Sequence, residues 1–196
     1  MKQDDKHKAE KIIVHLEGTL IADIKSVRKW AANYNHKREP YKNCGGLNYS
    51  IFLLCLIGCE TLGMYVFGAR YHKKAEEDNN IPDVGAYIIE FIEKYFPSKN
   101  EFKKISKILA DYLRHSLVHG FAPLHDNYPF DLNLVINENS IEEPIKTFEG
   151  KKLGIQLNGI AFADQVISTF KKRIKEVINN EKRGSDELVR NILQTD

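Results

Sequence analysis

Residues 47 to 70 form a segment that is apolar on every side when it is drawn as a helix. Its apolar members are Ile51, Phe52, Leu54, Leu56, Ile57, Leu62, Met64, Tyr65 and Phe67. Because such a helix has no face to turn towards water, it is usually the central helix of a bundle. Gly58 and Gly63 would let a neighbouring backbone approach closely, at some cost in helix propensity. The segment therefore predicts a helical core on which the rest of the chain packs.

Two further segments carry apolar residues at steps of three and four, which is the spacing of an amphipathic helix. The first runs from His7 to Tyr34, and its predicted inward face is Ile12, Ile13, Leu16, Leu20, Ile24, Val27 and Trp30. The second runs from Ile160 to Asn179, with Val166, Ile167, Phe170, Ile174, Val177 and Ile178 inward. The polar residues 35 to 46, which include Pro40 and two glycines, predict a loop between the first helix and the central one.

A third helix is predicted to begin near Pro82, a residue favoured at the first helical position, and to end at Tyr95 before Pro97. Ser98 and Glu101 have the spacing of a capping box, so a fourth helix is predicted to open there. Gly120 marks its end. Its predicted apolar side is Phe102, Ile105, Ile108, Leu109, Tyr112, Leu113 and Leu117.

Between the fourth helix and the last long one, the apolar period changes from that of a helix to that of a strand. Residues 130 to 136 and 153 to 157 alternate between apolar and other side chains, which predicts two short strands paired as a hairpin. The expected fold is mainly α, a four-to-five-helix bundle with a β-hairpin inserted before the C-terminal helix. Residues 1 to 180 would form this single domain, and residues 181 to 196 a polar tail with room for a short helix after Ser185.

Composition narrows the class of protein. The chain has 196 residues, of which 42% are hydrophobic, and a net charge of +2, so any contact with nucleic acid must come from a local patch. Its N-terminus carries no secretory signal, and its longest apolar run stops at Glu60, short of a membrane span. An odd set of three cysteines, Cys44, Cys55 and Cys59, favours reduced thiols packed in a core. A cytoplasmic protein without a membrane segment is expected.

Chemically active side chains gather between Asp111 and Phe121, in the last turns of an otherwise apolar helix. His115 and His119 are four residues apart and share a face, and the partial negative charge of a helix C-terminus favours a protonated imidazole. Arg114 can reach round towards His119, and its guanidinium offers forked donors matched to phosphate oxygens. A histidine that titrates near neutral pH beside a fixed cation suits acid–base chemistry on a phosphodiester.

The motif Arg114-His115-Ser116-Leu117-Val118-His119 resembles the Arg-x4-6-His motif of the HEPN superfamily, with His115 as the polar residue that often follows the arginine. The stretches Glu60-Thr61-Leu62-Gly63 and Tyr95-Phe96-Pro97 are also similar to a group of small bacterial proteins of this kind. In those proteins a helical Glu-x-Leu-Gly precedes an Arg-x-x-Leu-Val-His-Gly. The resemblance covers residues 47 to 123, so the strands and the final helix lie outside it.

The resemblance implies a helical bundle that dimerises, so that two Arg-x4-His motifs face one cleft. Active members of the superfamily are metal-independent endoribonucleases. By that analogy His119 handles the proton of the attacking 2′-hydroxyl or of the leaving oxygen, Arg114 binds the scissile phosphate, and His115 orients the pair or contacts the phosphate. Asp111, Glu60 and Ser116 are the expected supporting residues, and no cofactor or metal is expected.

Two functions of different classes follow from the resemblance. The first is a ribonuclease of toxin or antiphage type, with RNA as substrate, a second copy of the chain as partner, and an antitoxin or a nucleotidyltransferase as a further partner. The second is a catalytically inactive binding or regulatory module, since some members have lost catalysis and a fold does not secure an activity.

Ordinary structural roles compete with these functions. Arg114 could pair with Asp111 while His119 bonds a backbone carbonyl, and a salt bridge from Glu60 to Arg114 would be support rather than catalysis. Asp111, His115 and His119 also read as three metal ligands on one helix face, but the HExxH pattern of zinc proteases needs a Glu where Ser116 stands. The basic residues Lys171, Lys172, Arg173 and Lys175 suit either an RNA backbone or a solvated helix face.

Overall fold

Residues 3 to 35 form one long helical segment in the computed structural model. The structure describes residues 3–35, 48–70, 73–74, 83–114, 117, 130–133, 145–148 and 154–195. Helix α1 (Gln3–Leu16) passes through a π-helical turn (Glu17–Ile21) into α2 (Ala22–Asn35), which confirms the predicted first helix. Trp30, predicted to face inward, is instead 68% exposed, and Ala31 is buried. Residues 30 and 31, three and four positions after Val27, lie about equally close to the apolar face of the helix. The smaller side chain, that of Ala31, takes the packed position.

Helix α3 (Asn48–Phe67) is the central helix, as its composition predicted. It packs against α2, against α4 (Val84–Tyr95) and against two later helices, α6 (Gly159–Thr169) and α8 (Ser185–Leu193). Its fully buried side chains are Ile51, Phe52, Cys55, Leu56, Cys59, Leu62 and Val66. Burial raises the pKa of the Cys55 and Cys59 thiols, which is consistent with their predicted packing in the core. Cys44 lies outside the described residues.

The two glycines of α3 mark close approaches, as expected. A Cβ added to Gly63 would lie 2.5 Å from the Tyr87 carbonyl oxygen of α4, so the two backbones are nearly in contact there. A Cβ added to Gly58 would lie 2.9 Å from the Ile24 Cδ1 atom of α2. Gly63 needs a residue without a side chain because the backbone of α4 occupies that space, whereas the neighbour of Gly58 is the end of a side chain that can rotate.

Helix α3 also meets the length and composition of a membrane span. Within the described chain, residues 49 to 67 form one such window, with a mean hydropathy of 1.9 and 56% of it buried. The expectation that Glu60 rules out a span was too strict, because one carboxylate does not break an apolar window of this length. The core helix of a soluble protein passes the same test, so this feature is weak evidence for a membrane.

Helix α4 and the fourth helical stretch begin differently from the prediction. Asp83 caps α4, its Oδ1 accepting from the Ala86 backbone N at 3.2 Å, and Pro82 lies outside the described residues. Phe96 is extended before Pro97, which ends α4 as predicted. The capping box at Ser98 is wrong, because the cap of the next stretch is Asn100, whose Oδ1 accepts from the Phe102 backbone N at 3.0 Å.

The fourth helical stretch changes its winding along its length. It opens as a 3₁₀ turn (Glu101–Ile105), passes through a short α5 (Ser106–Ile108) and becomes a π-helical turn (Leu109–Arg114). It runs beside α4, where the Ser106 hydroxyl donates to the Glu93 carboxylate at 2.8 Å. A wider π turn is a local distortion of a helix and often occurs near functional side chains.

Three strands precede the last long helix, and their pairing corrects the predicted hairpin. Strands β1 (Phe130–Asn133), β2 (Ile145–Phe148) and β3 (Gly154–Asn158) form a sheet in the order β1-β3-β2. The two predicted strands, β1 and β3, pair in parallel, and the hairpin partner of β3 is β2, which the sequence analysis missed. A hairpin joins neighbours in sequence, whereas parallel strands need the longer connection that residues 134 to 153 supply.

The C-terminal part of the chain belongs to the core. Asn158 caps α6, which continues through a π-helical turn (Phe170–Lys175) into α7 (Glu176–Asn179), confirming the predicted last long helix. The short helix predicted after Ser185 is present as α8, but it is not part of a polar tail, because Leu188, Val189 and Ile192 are buried against α1 and α3. The fold is therefore mainly α, and its helical core extends beyond residue 180.

Candidate active site

Arg114 stands at the edge of the core, at the end of the π-helical turn. Leu109, Leu113 and Leu117 recur at steps of four and are all buried, so they hold this part of the chain against α3 and α4. Asp111 lies on the opposite side and is exposed. Arg114 falls between the two sides, and its side chain is 21% exposed, so it is largely held by the protein and partly accessible to solvent.

Arg114 is paired across helices with Glu60 of α3. Its Nε donates to the Glu60 Oε2 atom at 2.7 Å, and both side chains are about one-fifth exposed. The salt bridge between these two residues, considered from the sequence, is therefore present. The local alternative, in which Arg114 pairs with Asp111, does not hold among the described residues, where its carboxylate partner is Glu60.

The geometry of this pair fixes the direction of the guanidinium. Within the described part of the chain, the bond to Glu60 uses Nε alone, which leaves the two terminal amino groups for another acceptor. A carboxylate bound at Nε does not reach the end of the planar fork, where each terminal amino group keeps an N–H that points away from it. An arginine held in this way can present two parallel donors to the oxygens of a phosphate.

The three other residues of the predicted site, His115, Ser116 and His119, lie outside the described residues. The structure thus brings Glu60 and Arg114 together and places Asp111 on the exposed side of the same turn.

One further carboxylate, not predicted from the sequence, lies near this turn: Asp83 at the start of α4. A Cβ added to Gly85 would lie 3.3 Å from the Asp83 Oδ1 atom and 3.8 Å from the Asp111 Oδ1 atom. Asp83 and Asp111 belong to different helical segments, so only the tertiary structure could reveal that they lie near each other.

Metal ligands were a second hypothesis for this turn. Among the described residues no three His, Cys, Asp or Glu side chains are grouped closely enough to hold a metal ion. The proposed ligand set of Asp111, His115 and His119 includes two residues outside the described ranges, so it stays an untested alternative.

We expect the Glu60–Arg114 pair to contribute to stability as a coupled unit. In a double-mutant cycle with Glu60→Ala and Arg114→Ala, the coupling free energy should be about 1–2 kcal/mol, because removal of either partner leaves the other charge half-buried. Urea unfolding of the four proteins measures it. The matched control is the Arg28–Asp164 pair, which is bidentate but more exposed, and should couple by about 0.2–1 kcal/mol. Additive single effects at Glu60 and Arg114 would contradict a coupled pair.

Comparison with known proteins found no match for this chain among family models, curated proteins or solved structures. The resemblance to the HEPN superfamily therefore stays a prediction from residues 47 to 123 and from the motif that begins at Arg114. Its functional consequences have to be argued from the side chains themselves.

Proposed function

We propose that this protein is a metal-independent endoribonuclease of the HEPN type, acting as a homodimer in a toxin or antiphage system of the cytoplasm. The observation that supports it best is Arg114, about one-fifth exposed, which binds Glu60 through Nε. Among the described residues its two terminal amino groups have no carboxylate partner, so they could bind a phosphate. The motif places His115 and His119 one and five residues further along.

The proposed chemistry is an attack by the 2′-hydroxyl of RNA on the adjacent phosphorus. A new 2′-oxygen–phosphorus bond forms and the bond from phosphorus to the 5′-oxygen breaks, which leaves a 2′,3′-cyclic phosphate and a 5′-hydroxyl. His119 handles the proton of the attacking hydroxyl or of the leaving oxygen, Arg114 stabilises the charge that develops on the phosphate oxygens, and His115 orients the pair. Glu60 is a positioning residue in this scheme, because it touches only the arginine.

An apolar stripe on α3 supports the proposed dimer. Tyr49 and Ile57 are 45% and 39% exposed, although most of the helix is buried. Together with the partly buried Leu53 and Met64 they occupy the same face of α3 as Glu60, at steps of three and four. A second copy packed on this stripe would bring the two Arg114 side chains towards one cleft, and an antitoxin or a nucleotidyltransferase would approach such a dimer from outside.

One observation favours the inactive binding module. The charge of Arg114 is balanced by Glu60, as in a purely structural ion pair. In that function Arg114 would only hold the fourth helical stretch against α3. The apolar stripe on α3 would bind the protein that this module regulates. The two functions differ in whether the protein cleaves RNA.

Cleavage in the absence of metal tests the proposal. We expect the purified protein to cut single-stranded RNA in EDTA and to leave a 2′,3′-cyclic phosphate or a 3′-phosphate end, because the neighbouring hydroxyl needs no metal-activated water. An all-deoxy strand of the same sequence should resist, since it lacks the attacking hydroxyl. The Arg114→Ala/His119→Ala double variant is the control for contaminating nucleases. Cleavage that requires Mg²⁺ or Mn²⁺, or that the double variant retains, would overturn the proposal.

A further inference from the structure

A groove lies at the opposite end of α4 from Arg114. Its volume is about 420 Å³, which is within the range of small-molecule sites. Tyr95 and Pro97 form one wall at the C-terminal end of α4. The other wall is one face of the helical segment from α6 to α7, and Lys182 closes the end. Because α4 has 12 residues and so spans about 18 Å, the groove is separate from the Arg114 site.

The charges that line this groove are unbalanced. Lys172, Arg173 and Lys182 contribute three cations, and Glu176 is the one carboxylate that lines it. Glu176 lies 3.6 Å from the Lys182 Nζ atom, a loose contact with an exposed partner. Lys172 and Arg173 are exposed, and no carboxylate pairs with either of them in the described part of the chain. Lys175, four residues from Lys171 in the same basic run, is by contrast engaged with Glu17 at 2.5 Å. The groove therefore has an excess of positive charge and two uncommitted cations.

Hydrogen-bond donors line the same groove. Gln165 is fixed by Asn100, whose Nδ2 donates to its Oε1 at 2.8 Å, and it donates in turn to the Thr169 Oγ1 atom at 2.9 Å. Thr169 is itself buried, so this bond anchors Gln165 at the wall of the groove. Burial and the charge of Glu187 raise the pKa of Tyr95 to about 12, so its phenol keeps its proton at neutral pH. The groove thus presents cations and neutral donors together.

A larger cavity of about 1100 Å³ lacks the excess of positive charge found in the groove. It lies between the start of α1 and the start of α8, and its four carboxylates outnumber its Lys and Arg residues. One of its three Lys and Arg side chains, Lys6, is also paired inside the cavity, by a bond of 2.6 Å to Glu181. An anion would find no excess of positive charge there.

We propose that the groove beside Tyr95 binds a phosphate monoester through Lys172, Arg173 and Lys182. A monoester carries close to two negative charges at neutral pH and three strong acceptor oxygens, which match the excess of two positive charges and the polar side chains that line the groove. A phosphodiester has one charge and fewer free oxygens, so it satisfies the groove less well. The monoester can belong to a free nucleotide or to the 5′ end of a nucleic acid strand.

Titration calorimetry at low salt with three matched ligands tests this proposal. AMP is the monoester, 3′,5′-cyclic AMP is a diester of the same base and sugar, and adenosine has no phosphate. We expect AMP to bind about tenfold or more tightly than the cyclic diester, because bonds to a fully charged acceptor are the strong ones. Adenosine should not bind. Equal binding of AMP and either of the other two ligands would overturn the proposal.

Two variants locate the site. Lys172→Gln/Arg173→Gln removes two exposed cations of the groove and should weaken AMP binding about tenfold or more. Lys171→Gln removes the exposed neighbour that does not line the groove, and should leave binding unchanged. Circular dichroism verifies that each variant is folded. An equal loss of binding with Lys171→Gln would show that net charge alone is responsible, and unchanged binding by the double variant would exclude this groove.

All-deoxy oligonucleotides distinguish the sources of the phosphate. A strand with a 5′-phosphate that binds better than the same strand with a 5′-hydroxyl identifies a strand end, and binding by AMP alone identifies a free nucleotide. Equal binding of the two strands with no binding by AMP would mean that the groove holds internal diesters, contrary to the proposal. The Lys172→Gln/Arg173→Gln protein should bind AMP poorly whether or not the chain cleaves RNA, so failure here is separate from failure of the ribonuclease.

Discussion

Arg114→Lys should lower the rate of RNA cleavage by about a hundred- to a thousandfold while the protein stays folded. The guanidinium binds Glu60 through Nε and, among the described residues, leaves its two amino groups for another acceptor, so it can hold the carboxylate and a phosphate at once. A lysine has a single ammonium group, which can serve the carboxylate or the phosphate but cannot reproduce the planar fork. The charge is conserved in this change, and we therefore expect the loss to appear in the chemical step.

Single-turnover cleavage of a fluorogenic RNA in EDTA measures this effect, with His119→Ala as the companion variant. His119→Ala should remove the proton transfer and lower the rate by at least about a hundredfold. The matched control is Arg28→Lys, because Arg28 is also an arginine in an ion pair between helices but lies outside the site. Full activity of Arg114→Lys, or an equal loss with Arg28→Lys, would remove Arg114 from the mechanism.

Gly63→Ala should destabilise the protein by about 1–3 kcal/mol, although alanine favours a helix more than glycine does. The added methyl group would lie 2.5 Å from the Tyr87 carbonyl oxygen and 3.0 Å from the Tyr87 carbonyl carbon. These are backbone atoms of α4, which cannot move aside unless α3 and α4 separate along their whole contact. The loss of packing should therefore exceed the gain in helix propensity, which is about 1 kcal/mol.

Two other glycines provide graded controls for urea unfolding of Gly63→Ala. Gly58→Ala would meet the tip of the Ile24 side chain, which can rotate, so its destabilisation should be smaller. An added Cβ at Gly18 has no neighbour within 4 Å, and Gly18→Ala should stabilise the protein by up to about 1 kcal/mol. If Gly63→Ala were as stable as Gly18→Ala, the close approach of α3 and α4 would be wrong.

Local sequence signals predicted the helices but not every residue that caps them. Capping by Asn100 instead of Ser98 shows the difficulty, because both residues are good N-caps and lie two positions apart. The side-chain bond from Asn100 to Gln165 of α6 accompanies the cap at Asn100. Such a bond joins residues far apart in sequence, so local spacing cannot reveal it.

The strands show the same limit. The alternation in residues 153 to 157 identified β3, and β1 is one of its partners, but the two pair in parallel instead of as a hairpin. The antiparallel partner β2 was missed. A period of two residues carries no information about the direction in which strands pair. Strand β2 has only four residues, too few for alternation to stand out. The short helix predicted after Ser185 is present as α8, but the polar composition after residue 181 concealed its burial in the core, because its few apolar residues all lie on one face.

The amino-acid sequence by itself determined that α3 is the central helix, because a segment without a polar face has to be surrounded by other elements. It also determined that Gly63 lies at a close contact and that Arg114 stands at the end of a buried helical face. Only the tertiary structure decided that Glu60 holds Arg114 through Nε, and that Lys172 and Arg173 share a groove with Tyr95. The physical reason is distance along the chain: helix periodicity acts within a few residues, whereas an ion pair or a groove depends on how whole helices pack against each other.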